Sequence, residues 1–354
     1  MFAPLLSLLV VSVTAGDSVP RLTVALDSAR HEVVLVAGPF HLARPADPAS
    51  PAHEHGHGHH GGHHRAVVLP FTWPTDQWCR GFAIELYDGA GRPVSRTLIH
   101  HLNVVNLERR QLVHPAFERL LAAGRETEDV RLPAGVAVPL ARGDRMALLL
   151  AWPAEAPDAP DEVHLRLRLP WVSPRRVPAP VAVIPLLIDI GFEPDGSDAY
   201  DVPPGRSERT LDFTLPVSGR LLGLGGHLHD HGRWIRLEDV DAGRVIAELR
   251  PRVEQGHVVG MPRKLYGARG DGVRLHAGRH YRATAVYESG EPAVVPDGAM
   301  AVLGGIFAPD DFRTLPSARA EDADLARDAA ALGLGLELAE GREADTPRAT
   351  AAAR

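Results

Sequence analysis

The sequence predicts an all-β protein made of two tandem jelly-roll-like antiparallel β-sandwich lobes, followed by a short helical or disordered tail. Three features of the 354-residue chain support this prediction. Short apolar runs recur between Gly, Pro and Asp, as strands do between turns. Residues 163–169 alternate strictly between apolar and polar side chains, which is typical of a half-buried strand. Helical periodicity is nearly absent before residue 315.

The Pro-rich stretch 170–180 predicts the junction between the lobes, because proline extends the chain and does not join the interior of a sheet. Residues 42–66, rich in Pro, Gly and His, form a second break. The last stretch, 318–354, is rich in Ala and charged residues and predicts one helix near 321–332 before a disordered end. The resulting division is a signal peptide (1–16), N-terminal strands with a His-rich loop (17–66), a first lobe (67–172), a linker (173–180), a second lobe (181–312) and the tail (313–354).

The first sixteen residues form an apolar run that ends in small residues, which predicts a secretory signal and a periplasmic or secreted protein. A membrane anchor is the alternative, but the run is shorter than the roughly 20 residues that a span needs, so we expect no stable membrane insertion. Cys79 is the only cysteine, which excludes an internal disulfide and Cys-rich metal sites. The net charge of -7 argues against a general nucleic-acid binder.

The first candidate metal ligands are His227 and His229. Residues two apart on a strand share a face, so both imidazoles would project together and suit one metal ion. Asp230 is a candidate for orienting one of the rings. The alternative is a pair of surface histidines on an edge strand.

Met300, at the start of a late apolar run, is the third candidate ligand. A thioether is a soft ligand that suits copper, above all Cu(I), and imidazole suits both copper states. The alternative is a methionine that fills a gap in the core.

His100 and His101 form a second pair, in lobe one. Adjacent strand residues point to opposite faces, so one metal takes both only if the backbone bends there. The alternative is one buried ring and one exposed ring. A third group, the Gly- and His-rich tract 53–64, would bind copper or zinc loosely, or would be a solvated loop with incidental affinity.

These features follow one another in a specific order: a His-His pair in lobe one, a Pro-Pro-Gly turn at 203–205, the H-x-H pair, and a methionine on a late strand. This order resembles the copper type II, ascorbate-dependent monooxygenases, the family of peptidylglycine α-hydroxylating monooxygenase and dopamine β-monooxygenase. The resemblance runs from about residue 71 to 307, and the chain looks like a divergent bacterial-type member.

The resemblance implies one copper in each lobe. His227, His229 and Met300 match the ligands of the copper that activates O2, and His100 and His101 match two of the three ligands of the electron-transferring copper. Ascorbate or another one-electron reductant would reduce both ions, and a C–H bond of a small-molecule substrate would be hydroxylated.

Several positions depart from the family pattern. Trp152 stands near the place of the third lobe-one histidine, which leaves His164, His114 or the tract 53–64 as substitutes. Where amidating members hold the substrate carboxylate with Arg, Asn and Tyr, this chain has the three residues Gly225, Val302 and Gly304, so a glycine-ended peptide is a poor substrate.

The sequence therefore predicts a copper-dependent monooxygenase, and the alternative is a non-catalytic exported copper-binding protein of the same fold for storage, delivery or sensing. A structural β-protein that binds no metal is a third hypothesis. The incomplete lobe-one site and the His tract favour the copper-binding protein.

Overall fold

The computed structural model describes residues 8–9, 19–42, 65–153, 159–193, 199–266, 271–318 and 322–334. It confirms the all-β fold with two antiparallel sandwich lobes. The predicted signal peptide lies outside the described residues except for the backbone of a two-residue strand, and the His tract 53–64 lies outside them entirely. Within the described part of the chain, no helix has the length and apolar character that a membrane crossing requires.

Lobe one packs a large sheet, in the order β1-β2-β3-β13-β6-β10, against a four-stranded sheet in the order β4-β12-β8-β9; β5 pairs with β13, and β7 with β6. A 3-10 turn at Arg96–Leu98 precedes β8. The strands are β1 Leu8–Leu9, β2 Arg21–Asp27, β3 Glu32–Phe40, β4 Arg65–Thr72, β5 Trp78–Cys79, β6 Gly81–Asp88, β7 Pro93–Val94, β8 His101–Arg110, β9 Phe117–Ala123, β10 Val130–Arg131, β11 Val136–Ala137, β12 Arg145–Trp152 and β13 Val163–Val172.

The alternating segment of the sequence forms β13, the strand at the centre of the large sheet. Its apolar residues Val163, Leu165 and Leu167 are fully buried, and the polar residues between them are partly exposed. Strand β3 pairs with β13, so the strands of segment 17–66 belong to the large sheet of lobe one. Burial of one face along each strand fixes the register of this sheet.

Lobe two packs a sheet in the order β15-β27-β18-β23, with β24 also on β18, against a sheet in the order β17-β25-β19-β20. Ribbons β16-β26 and β21-β22 complete it, and β14 pairs with β11 of lobe one. The strands are β14 Val181–Ala182, β15 Ile184–Asp189, β16 Tyr200–Val202, β17 Gly205–Thr214, β18 Gly219–Leu228, β19 Gly232–Asp239, β20 Arg244–Leu249, β21 Arg252–Glu254, β22 His257–Gly260, β23 Lys264–Leu265, β24 Val273–Leu275, β25 His280–Ser289, β26 Val295–Ala299 and β27 Ala301–Pro309.

The lobes dock through the outer face of β18 and β27. Leu221 packs in the core of lobe two, whereas Leu222 packs in the core of lobe one, next to Ile306 and Ala308. In the other direction, Leu112 of lobe one is buried in the core of lobe two. Lobe one therefore covers the outer face of this sheet. The end of β18 and the start of β27 lie next to each other at the junction of the lobes.

The tail begins with the helix α1, Ala323–Ala331, in the place where the sequence predicts a helix. Its N-cap residue Asp322 accepts backbone N–H groups through its side chain, which satisfies donors that the first helical turn leaves free. Leu325 and Ala329 pack against the outer face of lobe one, on Phe117 and Ala147. Residues 335–354 lie outside the described part of the chain.

Candidate metal centre

His227 and His229 lie where β18 meets the lobe junction. His227 stands opposite Val302 of β27, and Leu228 stands opposite Ala301. Leu228 and Ala301 point into the core of lobe two, so His227, one residue away, points to the other side of the sheet, towards lobe one. The ring centroids of His227 and His229 are 5.1 Å apart.

His100 and His101 bring two more imidazoles to the same junction. β8 begins only at His101, and His100 lies in the bend before it, where its N–H donates to the carbonyl of Ala151 over 2.9 Å. The ring centroids of the pair are 4.1 Å apart, and both residues are half-buried. The backbone bend therefore exists, and the arrangement with one buried and one exposed ring is wrong.

His101, His227 and His229 form the tightest group. Their ligand nitrogens all lie within 4.8 Å of one another. Nitrogens that share one ion at 2.0–2.1 Å are at most about 4.2 Å apart, so sub-ångström side-chain movements would complete the site. His100 stands beside the group, with its ring 6.2 Å from that of His229.

This arrangement differs from the one implied by the family resemblance. The resemblance assigns His101 to a centre in lobe one, separate from the centre of His227 and His229 in lobe two. The structure places all three in one cluster, because the docking of the lobes brings the end of β18 against the start of β8. Within the described residues, it is the only group of three His, Cys, Asp or Glu side chains close enough to share an ion.

Met300 lies opposite His229 in the register of β18 and β27. Its side chain is 4% exposed, yet it belongs to none of the hydrophobic cores formed by the described residues. Its carbonyl oxygen accepts the N–H of His229 over 3.2 Å, which continues the pairing of β18 with β27 by one residue. Residues opposite each other in an antiparallel pair share a face, so this register puts Met300 on the side of the sheet that carries His229.

Glu126, in the loop after β9, is the carboxylate of the site. Its Oε1 lies 2.7 Å from Nδ1 of His227, and its side chain is only 6% exposed. Burial alone would raise the pKa of Glu126, but the hydrogen bond from His227, together with the charge of this ring when it is protonated, lowers the pKa to about 2. The sequence does not single out Glu126, because it stands in the charged stretch 125–129 without a motif.

The ring nitrogens of the cluster suit a metal ion. Burial, followed by the neighbouring His227 and His100, lowers the pKa of His229 to about 3, so this imidazole is neutral at pH 7 with a lone pair to offer. Nε2 of His227 is a buried atom without a hydrogen-bond partner among the described residues. Buried polar atoms are nearly always satisfied, so this nitrogen indicates a ligand position.

Two substitutes for a third lobe-one ligand, His164 and His114, lie elsewhere, and the third, the tract 53–64, lies outside the described residues. His164 bonds Glu162 through Nε2 over 2.6 Å and stacks on Tyr87. His114 accepts the N–H of Asp189 through Nε2 over 2.9 Å. Trp152 is buried in the core of lobe one. The third histidine near His227 and His229 is therefore His101, from the lobe that faces them.

Few side chains cover the part of the sheet next to His227. Gly225 stands opposite Gly304, two residues before the His227 and Val302 pair. Gly304 is exposed, and a Cβ atom there would meet no heavy atom within 4 Å. Backbone, the Val302 side chain and the aliphatic part of Arg263, which lies next to Gly225, therefore line this strip of the sheet.

No family model matches the chain, and no curated protein matches it. Among solved structures, it is similar to PNGase F, a glycosylasparaginase from Flavobacterium meningosepticum, with a TM-score of 0.39 and 11% identity over 77% of this chain and 95% of that one. It is also similar to PNGF-II, with a TM-score of 0.37 and 11% identity over 78% of this chain and 66% of that one. The function is therefore argued from the site itself.

Proposed function

We propose that this protein binds one copper ion through His101, His227 and His229, between its two lobes. The observation that supports this function is the convergence of three ring nitrogens within 4.8 Å of one another from strands of both lobes. Imidazole suits Cu, Zn, Fe and Ni, and copper stands highest among divalent first-row metals in affinity for such a site. Met300 is paired with His229 through its backbone, and a thioether donated from there would favour copper over zinc and Cu(I) over Cu(II).

A titration against a competing copper chelator tests this proposal. The seven histidines of the tract 53–64 are first replaced by asparagine, so that loosely bound copper does not obscure the titration. We expect one tightly bound ion per chain, and a loss of more than about 100-fold in affinity for His227→Ala, since even the loss of a group that only orients a ligand costs about 10–100-fold.

His231→Ala is the matched control, because His231 follows the same strand but lies outside the cluster. We expect its copper affinity to stay within about threefold of the starting protein. Equal losses for His227→Ala and His231→Ala would refute the ligand assignment, and an absence of tight copper binding in the starting protein would refute the function.

Ascorbate-driven hydroxylation is the second candidate function. Met300 beside His229, together with the order of motifs along the chain, favours it. Copper would supply one-electron redox chemistry and O2 activation, and ascorbate would supply the two electrons that reduce the second oxygen atom to water. The strip at Gly225 and Gly304 is mostly backbone, with the Arg263 side chain next to Gly225, and the proposed substrate is a small molecule. We also propose that the protein is exported, because the sequence predicts a secretory signal at its apolar N-terminus.

O2 uptake measured with ascorbate, with and without Met300→Ala, distinguishes the enzyme from the copper-binding protein. Uptake by the copper-loaded protein that falls strongly in Met300→Ala is the result expected of the enzyme. If the protein binds copper tightly but consumes O2 no faster than free copper does, the enzyme hypothesis fails and only the storage or delivery function remains.

A further inference from the structure

We propose that Glu126 is a positioning residue through which the docking of lobe one sets the metal-binding form of His227. This inference rests on the proposed function, in that it assigns His227 as a metal ligand. It concerns a residue of lobe one that acts on a ligand of lobe two, and it makes metal affinity depend on the contact between the lobes.

The contact with Glu126 determines the tautomer of His227. An ionised carboxylate only accepts hydrogen bonds, so the 2.7 Å contact between Glu126 Oε1 and His227 Nδ1 requires the proton of the ring to sit on Nδ1. Nε2 then keeps its lone pair, and Nε2 is the buried atom without a partner in the described part of the chain. A carboxylate that takes the second N–H of a ligating histidine fixes its orientation and raises its basicity.

The loop that carries Glu126 is held on lobe two at both of its sides. On one side of Glu126, Arg125 reaches both carboxylate oxygens of Asp230 over 3.2 Å. On the other side, Arg263 of lobe two donates to the carbonyl oxygen of Glu128 over 3.0 Å and to that of Asp129 over 3.2 Å. Two cross-lobe contacts therefore flank the carboxylate.

Asp230 is itself fixed within lobe two. It accepts the N–H of Val258 over 2.7 Å and Nδ1 of His257 over 2.8 Å, both from β22. In lobe one, Asp129 accepts from Arg96 over 2.6 Å and from the N–H of Ile84 over 3.1 Å. The loop thus has anchors in both lobes, and any separation of the lobes would withdraw Glu126 from His227.

The consequence is a reciprocal coupling. Docking of the lobes brings the Glu126 carboxylate to His227 and so raises the affinity of His227 for a metal ion. Metal binding must then favour docking of the lobes by the same free energy. The sequence position of Asp230, next to His229, first suggests it as the residue that orients a ring. In the structure its carboxylate is bonded to Arg125, His257 and Val258, and Glu126 occupies the orienting position.

The test compares Glu126→Ala and Glu126→Gln with Glu128→Ala in the full chain carrying the asparagine-substituted tract. Glu128 is an exposed residue of the same loop that contributes its backbone to the cross-lobe contact, so its substitution controls for changes to the loop. Glutamine is nearly isosteric and keeps an acceptor oxygen, so it preserves folding and part of the orientation.

Two measurements are made on each variant: the His227 tautomer in the metal-free protein by 15N NMR of the ring, and the affinity for Cu(I) and Zn(II). We expect Glu126→Ala to lose the dominant Nδ1–H form and to bind 10–100-fold more weakly. Glu126→Gln should keep the tautomer with a smaller loss of affinity, and Glu128→Ala should match the parent protein.

An unchanged tautomer in Glu126→Ala, or metal affinity within twofold of the parent, would overturn the positioning role. If the parent itself binds no metal tightly, the proposed function fails, while the tautomer measurement still decides whether Glu126 orients His227. If Glu126→Ala does not fold, the decision rests on Glu126→Gln, in which a metal affinity equal to that of the parent would overturn the role.

Discussion

The N–H of His229 donates to the carbonyl oxygen of Met300 over 3.2 Å. These two residues therefore lie opposite each other at the lobe junction, just after the end of β18 and just before the start of β27. The same carbonyl accepts the hydroxyl of Tyr287 over 2.6 Å. Tyr287 is fully buried in the core of lobe two. A rigid core contact thus fixes the backbone that presents Met300, and a soft donor on a rigid support can discriminate between metal states.

Replacement of Met300 by leucine should weaken Cu(I) binding by more than about tenfold and leave Zn(II) binding within about threefold, because only the softer ion gains from a thioether. Leucine conserves volume and apolar character, so the fold should be retained. Competition titrations with chromophoric chelators for each ion provide the measurement. Parallel losses for the two ions would show that Met300 supports the site only by packing.

His101→Ala should abolish tight metal binding, whereas His100→Ala should lower affinity by less than about tenfold. The reason is that His101 contributes a ring nitrogen to the triad, and His100 stands beside it. Metal-to-protein ratios after dialysis, measured with the tract 53–64 substituted by asparagine, test this difference. Two tightly bound ions per chain, with one lost in each variant, would instead support the separate lobe-one centre implied by the family resemblance.

The local part of the fold follows from the sequence. Residues 163–169 alternate because one face of β13 is buried, and the helix near 321–332 begins where Asp322 caps it. His227 and His229 were recognisable because residues two apart on a strand share a face. Each of these predictions depends on neighbours along the chain.

The assembly of the site depends on docking, which periodicity does not encode. β18 is buried on both faces, so its apolar run does not reveal that Leu222 packs on lobe one. His101 joins His227 only through that contact, across more than a hundred residues of sequence. Glu126 gave no signal, because an isolated glutamate in a charged loop is ordinarily solvated.

Acid should destabilise the protein partly through His114. Burial, with a smaller effect of Arg119, lowers the pKa of His114 from 6.5 to about 4. The unfolded chain therefore takes up this proton before the folded chain does. Above pH 6.5, neutral His114 makes its full contribution to the free energy of unfolding. As the pH falls from 6.5 towards 4, the free energy of unfolding decreases by up to about 3 kcal/mol through this group.

His114→Gln removes this titration and keeps an acceptor for the N–H of Asp189, which His114 now accepts through Nε2. Urea denaturation at several pH values between 7 and 4 should show a smaller loss of unfolding free energy for this variant than for the parent. The exposed His276→Gln is the control and should follow the parent. Parallel curves for His114→Gln and the parent would contradict the assignment.

The tail helix should contribute to the stability of lobe one through Asp328. Its carboxylate accepts from Arg119 over 2.6 and 2.9 Å and from the N–H of Phe117 over 2.8 Å, with Asp328 only 4% exposed. Asp328→Ala leaves a largely buried guanidinium without its partner, which should cost about 3–5 kcal/mol in the free energy of unfolding.

Asp324→Ala on the same helix is the matched control, because Asp324 pairs with Arg327 at the surface and such pairs contribute less than about 1 kcal/mol. Chemical denaturation of both variants at pH 7 gives the comparison. Limited proteolysis adds a second measurement, since α1 without its Asp328 anchor should detach and be cleaved while the sandwich core stays intact. Equal stability of the two variants would show that Asp328 does not anchor the helix, which would then be held by Leu325 and Ala329 and by the ion pair of Asp322 with Arg110.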